Sequence, residues 1–200
     1  MEFLKNMDII KKLKLEVPQA QTKVLLHACC APCSAAIVEC LLANNITPTI
    51  FYFNPNIFPR DEYQHRKDES MRHAKLLGLD YIEGDSDHNL WLSCVKGLEN
   101  EPERGARCLK CFQIRLLATA KCAAENGFKV FTTTLASSRW KDLEQINAAG
   151  IYAQNAYPQT LFWQQNWRKG GLSERRNILL KQNNFYNQLY CGCEFSIRKD

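Results

Sequence analysis

Short apolar runs that alternate with helical stretches constrain this chain more than any other feature. Residues 23–28 (KVLLHA) read as a buried strand, and Pro32 and Ser34 lead from it into a helical stretch over 35–43. Residues 49–53 (TIFYF) form an aromatic, β-branched strand closed by the turn residues Asn54-Pro55-Asn56. A polar helix over 60–77 ends at Gly78, and a short strand (79–83) and a short helix (87–96) follow. The clearest helix, 109–126, stops at Gly127 and feeds a strand over 129–134. A helix over 141–149 is predicted to end at Gly150, followed by a strand near 160–163 and a helix over 173–182. Such alternation predicts an α/β fold with a parallel sheet and right-handed crossovers. One domain is expected over residues 1–200, with an amphipathic helix in 1–20 and a C-terminal extension over 165–200. Ligands of such sheets bind outside the carboxyl ends of the strands. Cys29, Cys30, Asn54, Asn56 and Asp85 all follow predicted strands at that edge.

Composition narrows the class. An apolar fraction of 46% and a charged fraction of 24% are ordinary for a soluble globular chain. No apolar run is long enough for a membrane span, and the lysine-rich start, broken by Asp8 and Glu16, lacks the apolar centre of a secretory signal. A cytoplasmic location without a membrane partner is expected. In that compartment the ten cysteines read as metal ligands, catalytic groups or small core residues rather than a disulfide framework. A net charge of +5 permits an anionic partner without demanding one.

Three cysteine features carry chemistry. Cys29-Cys30-x-x-Cys33 lies between the first strand and its helix, and Cys108-x-x-Cys111 opens the clearest helix. A helix N-terminus favours the thiolate, the form that binds metals and attacks disulfides. Together the two groups suit a four-thiolate site for zinc or an iron–sulfur cluster, and adjacent cysteines sit more easily on a cluster. Cys40, Cys94 and Cys122 have no partner motif and read as core. Cys191-Gly192-Cys193 can close only a tight, easily reduced disulfide, or one of its thiols completes a metal shell. Cys30-Ala31-Pro32-Cys33 taken alone is also compatible with a thiol–disulfide oxidoreductase.

Several stretches in order resemble the QueH family of epoxyqueuosine reductases: LLHACCAPCS (25–34), FYFNPNIFPRDEY (51–63), EPERGARCLKCFQIRL (101–116), FTTTLASS (131–138) and YCGCEFS (190–196). The resemblance implies a Rossmann-like sheet of the adenine-nucleotide α-hydrolase kind and the final reductive step of tRNA queuosine synthesis. It implies a [4Fe–4S] cluster on Cys29, Cys30, Cys108 and Cys111, and a redox-active pair in Cys191 and Cys193. It further implies a second, mononuclear iron, for which Cys33 is the candidate ligand. Arg139-Trp140 stands where the family commonly has proline, and residues 157–168 match loosely.

Removing an epoxide oxygen to leave an alkene consumes two electrons and two protons and releases water. Asp85 and His27 are the candidate proton donors, with a helix cap and a satisfied core histidine as their alternatives. For the tRNA, three basic groups are candidates: Arg60, Arg66, Lys67 and Arg72; Arg104, Arg107, Lys110 and Arg115; and Arg168, Lys169, Arg175 and Arg176. Tyr52, Tyr63, Trp91 and Trp140 are candidate stacking residues. The electron donor is not legible. Competing classes are a zinc-stapled tRNA-binding module and an ATP-dependent relative, though the loop after the first strand has no glycine to cradle a phosphate.

Overall fold

A computed structural model of the chain describes residues 13–197. Five parallel strands form one sheet in the order β3-β2-β1-β4-β5: β1 (Lys23–His27), β2 (Thr47–Tyr52), β3 (Tyr81–Glu83), β4 (Val130–Thr133) and β5 (Leu161–Phe162). The helices are α1 (Ala31–Ala43), α2 (Arg60–Leu76), α3 (His88–Cys94), α4 (Ala106–Glu125), α5 (Leu143–Ala156) and α6 (Leu172–Gln182). This is the Rossmann-like α/β architecture expected from the alternation. Chain order runs outward from β1 through β2 to β3, then returns to β4 on the other side of β1. Right-handed crossovers therefore put α1 and α2 on one face and α4 and α5 on the other. The switch point falls between β1 and β4, where Leu25 faces Phe131 and His27 faces Thr133.

Burial explains the strand choices. Val24, Leu25 and Leu26 are inaccessible, as are Val130 and Phe131 on the neighbouring strand, which is why both read as continuous apolar runs. Helix α1 is buried on nearly all sides, wedged between the sheet and α6. Its Glu39 would be costly there alone, but Arg175 of α6 grips it with two bonds of 2.7 and 2.9 Å.

Several boundaries differ from expectation for identifiable reasons. Helix α1 begins at Ala31 rather than 35, because Pro32 in a first turn loses no hydrogen bond. Helix α4 begins at Ala106, three residues before the predicted start, so Cys108 and Cys111 both lie on its first turns. Gly150 does not end α5 but sits inside it; a Cβ there would lie 2.1 Å from the Phe162 ring, so glycine serves the close approach of α5 to β5. The helix expected over 1–20 falls mostly outside the described residues, and within them Pro18–Ala20 is a single 3-10 turn. The C-terminal extension holds α6, but the stretch from Asn183 to Cys193 is an irregular strap. Among the described residues no helix is long and apolar enough to cross a membrane.

Candidate active site

The β1–α1 junction carries the first cysteine group. Cys30 caps α1, its Sγ accepting the Cys33 amide at 3.3 Å. The Sγ atoms of Cys29, Cys30 and Cys33 all lie within 4.8 Å of one another, close enough to hold a metal ion together. Cys30 and Cys33 are at disulfide distance. Thr134, just past β4, accepts the Cys29 amide at 3.2 Å and donates its hydroxyl to Cys29 Sγ at 3.3 Å. From the strap, Gln188 Nε2 donates to Cys30 Sγ (3.0 Å) and Cys33 Sγ (3.4 Å).

The second group lines a cavity. Cys108 and Cys111 come from α4, Cys191 and Cys193 from the strap, and Asn56, Trp91, Glu103, Arg107, Trp140 and Lys141 complete much of the wall. Burial pushes the thiols of Cys108 and Cys111 up, against smaller opposing pulls from the Arg104 amide at Cys108 and from Arg115 at Cys111. Burial also pushes Cys193 up, to about 12. At Cys191 burial acts the same way, but Lys141, Arg115 and Arg66 together overcome it and hold the thiol below its ordinary value. The two thiols of one Cys-Gly-Cys unit are thus shifted in opposite directions.

Arg115 links the groups. Buried on α4, it donates to Asn54 Oδ1 at 2.5 Å, and Asn54 Nδ2 donates to the carbonyl of Ala28 beside Cys29. Its charge also bears on Cys111 and Cys191.

The strap is clamped in place. Arg66, paired with Glu62 at 2.6 Å, donates to the carbonyls of Tyr190 (3.2 Å) and Cys191 (3.1 Å). The Phe58 amide donates to Gly192 O at 2.9 Å, and the Tyr190 hydroxyl bonds the Phe58 carbonyl. Gly192 has φ +111°, and a Cβ on it would lie 2.9 Å from both Arg66 and Ile57, so any other residue between the cysteines would be strained and would displace those side chains. His88, stacked on Phe58 and Trp91, holds Glu194 at 2.9 Å.

The candidate proton donors lie elsewhere. His27 is inaccessible, its ring nitrogens engaged with Thr133 Oγ1 (2.8 Å) and the Phe53 carbonyl (3.2 Å). Burial, then Arg115, holds it well below the ordinary histidine range, so the ring is neutral. Asp85 is exposed and lines a separate open depression with Arg60, Tyr63, Glu83 and Ser86. The cap of α3 is Asp87, not Asp85.

The basic and aromatic candidates divide sharply. Arg66, Arg107, Arg115 and Arg175 are 2 to 3% exposed and turn their guanidinium groups onto protein acceptors. Tyr52, Tyr63 and Trp91 are equally buried, leaving Trp140 as the exposed aromatic of the four. The glutamate four residues before Arg66 is a signal for its internal pairing. Thr134 and Gln188 escaped notice because nothing local marks a residue that meets a thiol more than a hundred positions away.

A family model described as Epoxyqueuosine reductase QueH matches residues 24–199. This chain belongs to the QueH family. Among proteins so named, the one from Histophilus somni is 48% identical over 185 residues, covering 92% of this chain and 76% of the relative. The one from Acinetobacter baylyi is 47% identical over 187 residues, covering 94% and 86%. A more distant member from Thermotoga maritima is 32% identical over 177 residues, covering 87% and 90%. The family is one of oxidoreductases, and its match takes in both cysteine groups and the strap.

Proposed function

We propose that this protein is a cytoplasmic epoxyqueuosine reductase that converts epoxyqueuosine in tRNA to queuosine, using an iron–sulfur cluster. The observation carrying this reading is that the family match spans two cysteine groups held at one sheet edge and linked by Arg115. Cys29, Cys30, Cys108 and Cys111 are the proposed ligands of a [4Fe–4S] cluster, and Cys33 of a second, mononuclear iron. The donor chemistry fits, since thiolates are the ordinary ligands of iron–sulfur clusters. When bound, the cluster supplies electrons singly.

The chain's own residues account for the rest of the balance. Cys191 and Cys193 together hold two electrons, released as they close to a disulfide that an external donor reopens. Lys141, Arg115 and Arg66 shift Cys191 towards the thiolate, so closing the disulfide releases two electrons and the single proton of Cys193, and the second proton comes from solvent or from Asp85. Asn56 Oδ1 and Arg107 Nε are buried at the cavity and have no partner in the protein, which suits them to a polar substrate. Asp85 remains a proposed proton donor, provided the substrate reaches across β2; Asp85→Asn tests that with a pH–rate profile.

Anaerobic purification tests the central claim. The expected product is brown, holds about four irons or more, and removes the epoxide from modified tRNA. Cys108→Ser is expected to abolish the colour. A colourless protein with one zinc would sink the cluster assignment.

A second reading, thiol–disulfide exchange at Cys30 and Cys33, is favoured by their disulfide distance at a helix N-terminus. Turnover of a disulfide substrate by iron-free protein would support it. Cys30, 1% exposed, is poorly placed to meet such a substrate, so the reductase reading is preferred.

A further inference from the structure

We propose that Trp140 and the cations around it form the platform that grips the RNA strand beside the reacting base; this rests on the tRNA reading above. Trp91, Trp163 and Trp167 are 1%, 5% and 1% exposed, whereas Trp140 is 73% exposed. Trp140 also lines the cysteine cavity. A large indole kept in water at the edge of a reaction cavity does no work for the core. It is the surface on which an unpaired base stacks.

The loop that presents Trp140 is braced. Arg104 donates to the carbonyls of Trp140 (3.1 Å) and Arg139 (2.9 Å), while its own amide meets Cys108 Sγ at 3.3 Å. Arg168 donates to the Lys141 carbonyl at 2.7 Å, and Gln145 donates to the Arg104 carbonyl at 2.7 Å. The backbone that carries the indole is therefore tied, through Arg104, to a cysteine of the cavity.

Charge supplies the second half of the case. Burial, then Arg104, and also Arg139 press the Arg168 guanidinium below its ordinary range, against a smaller opposing pull from Asp142. With Lys141, four cations crowd this loop. Asp142 spends carboxylate capacity capping α5 through the amides of Glu144 and Gln145, and Glu103 is the acid on the cavity wall. A cluster of like charges so weakly compensated is relieved by phosphates. One stacking aromatic beside such a cluster fits single-stranded RNA, the form in which an anticodon loop offers its bases. Of the three basic groups seen in the sequence, Arg104 and Arg168 thus meet here, joined by Arg139 and Lys141.

The test uses the full chain and an RNA hairpin with the anticodon-loop sequence of the substrate tRNA. Trp140 is the accessible tryptophan among the described four, so binding is expected to quench its emission and shield it from acrylamide. Trp140→Ala should weaken binding by about fivefold to a hundredfold, the range for loss of one stacked base. Trp140→Phe should keep most of the affinity while abolishing the fluorescence change. The double variant Arg139→Ala, Lys141→Ala should lower the slope of log K against log salt by about 0.7 per lost phosphate contact. Affinity within twofold of wild type for Trp140→Ala, with an unchanged salt slope, overturns the platform. If wild type still reduces the tRNA in that case, the reductase reading survives. A wild-type chain that neither binds the hairpin nor reduces the epoxide overturns both.

Discussion

The two cysteine groups share one sheet edge, yet they are built in opposite ways. Cys29, Cys30 and Cys33 come from five consecutive residues at a strand–helix junction, so the local backbone brings their sulfurs together. The other group joins α4 to the strap, and its halves are separated by eighty residues of chain. The first is formed once β1 and α1 are formed. The second exists only while Arg66, Phe58 and His88 hold the strap down. A local site is robust; an assembled site can be taken apart without unfolding the sheet.

The largest effect should separate the strap pair from the proposed cluster ligands. Cys191→Ser is expected to cut turnover by roughly a hundredfold or more while iron content stays near wild type. Cys29→Ser should instead lose iron, and turnover with it. Iron analysis beside an epoxyqueuosine assay reads both. Full activity in Cys191→Ser would make the strap cysteines structural.

A substitution at Gly192 should disturb the strap pair alone. Alanine there meets Arg66 and Ile57 and must adopt φ +111°, a strain of about 1–3 kcal/mol. The expected result is a lower melting temperature and slower oxidation of Cys191 with Cys193, with iron content near wild type. Mass mapping of the strap disulfide beside iron analysis checks this, and loss of iron in step with the disulfide would show that the strap also holds the cluster ligands in place.

The smallest effect is graded with pH. Burial depresses His27 beneath the first group, and depresses His73, which packs edge-on against Phe185 of the strap, to about 4. The unfolded chain binds these protons near 6.5 and the folded chain does not. Stability gained by this route is therefore complete above about 6.5 and is lost as pH falls towards each folded value, by up to about 1.4 kcal/mol per pH unit per histidine. Denaturant midpoints from pH 7 to 4 should fall less steeply in His73→Gln. An unchanged slope would mean that burial of His73 does not control it.

The same contrast explains what the sequence reveals. The strand–helix alternation, the five parallel strands and the Cys29-Cys30-x-x-Cys33 junction are local patterns and are legible. Gly150 misleads because a glycine at a helix end and one at a helix–strand contact look alike in one dimension. The arginines mislead for a related reason: a charge can be read from the chain but its burial cannot. Arg66, Arg107, Arg115 and Arg175 read as an RNA-binding surface, yet each is folded inward onto carbonyls, an amide or a carboxylate. Clamps between distant segments, such as Gln188 on Cys30, leave no local trace.

The bond from the Phe58 amide to the Gly192 carbonyl has a consequence for dynamics. It is one backbone hydrogen bond across 134 residues, set between the two strap cysteines. Its proton can trade with deuterium when the strap lifts, even while the sheet stays closed. The gap in exchange rate between Phe58 and the amides of β1 therefore clocks how often the second cysteine pair comes apart.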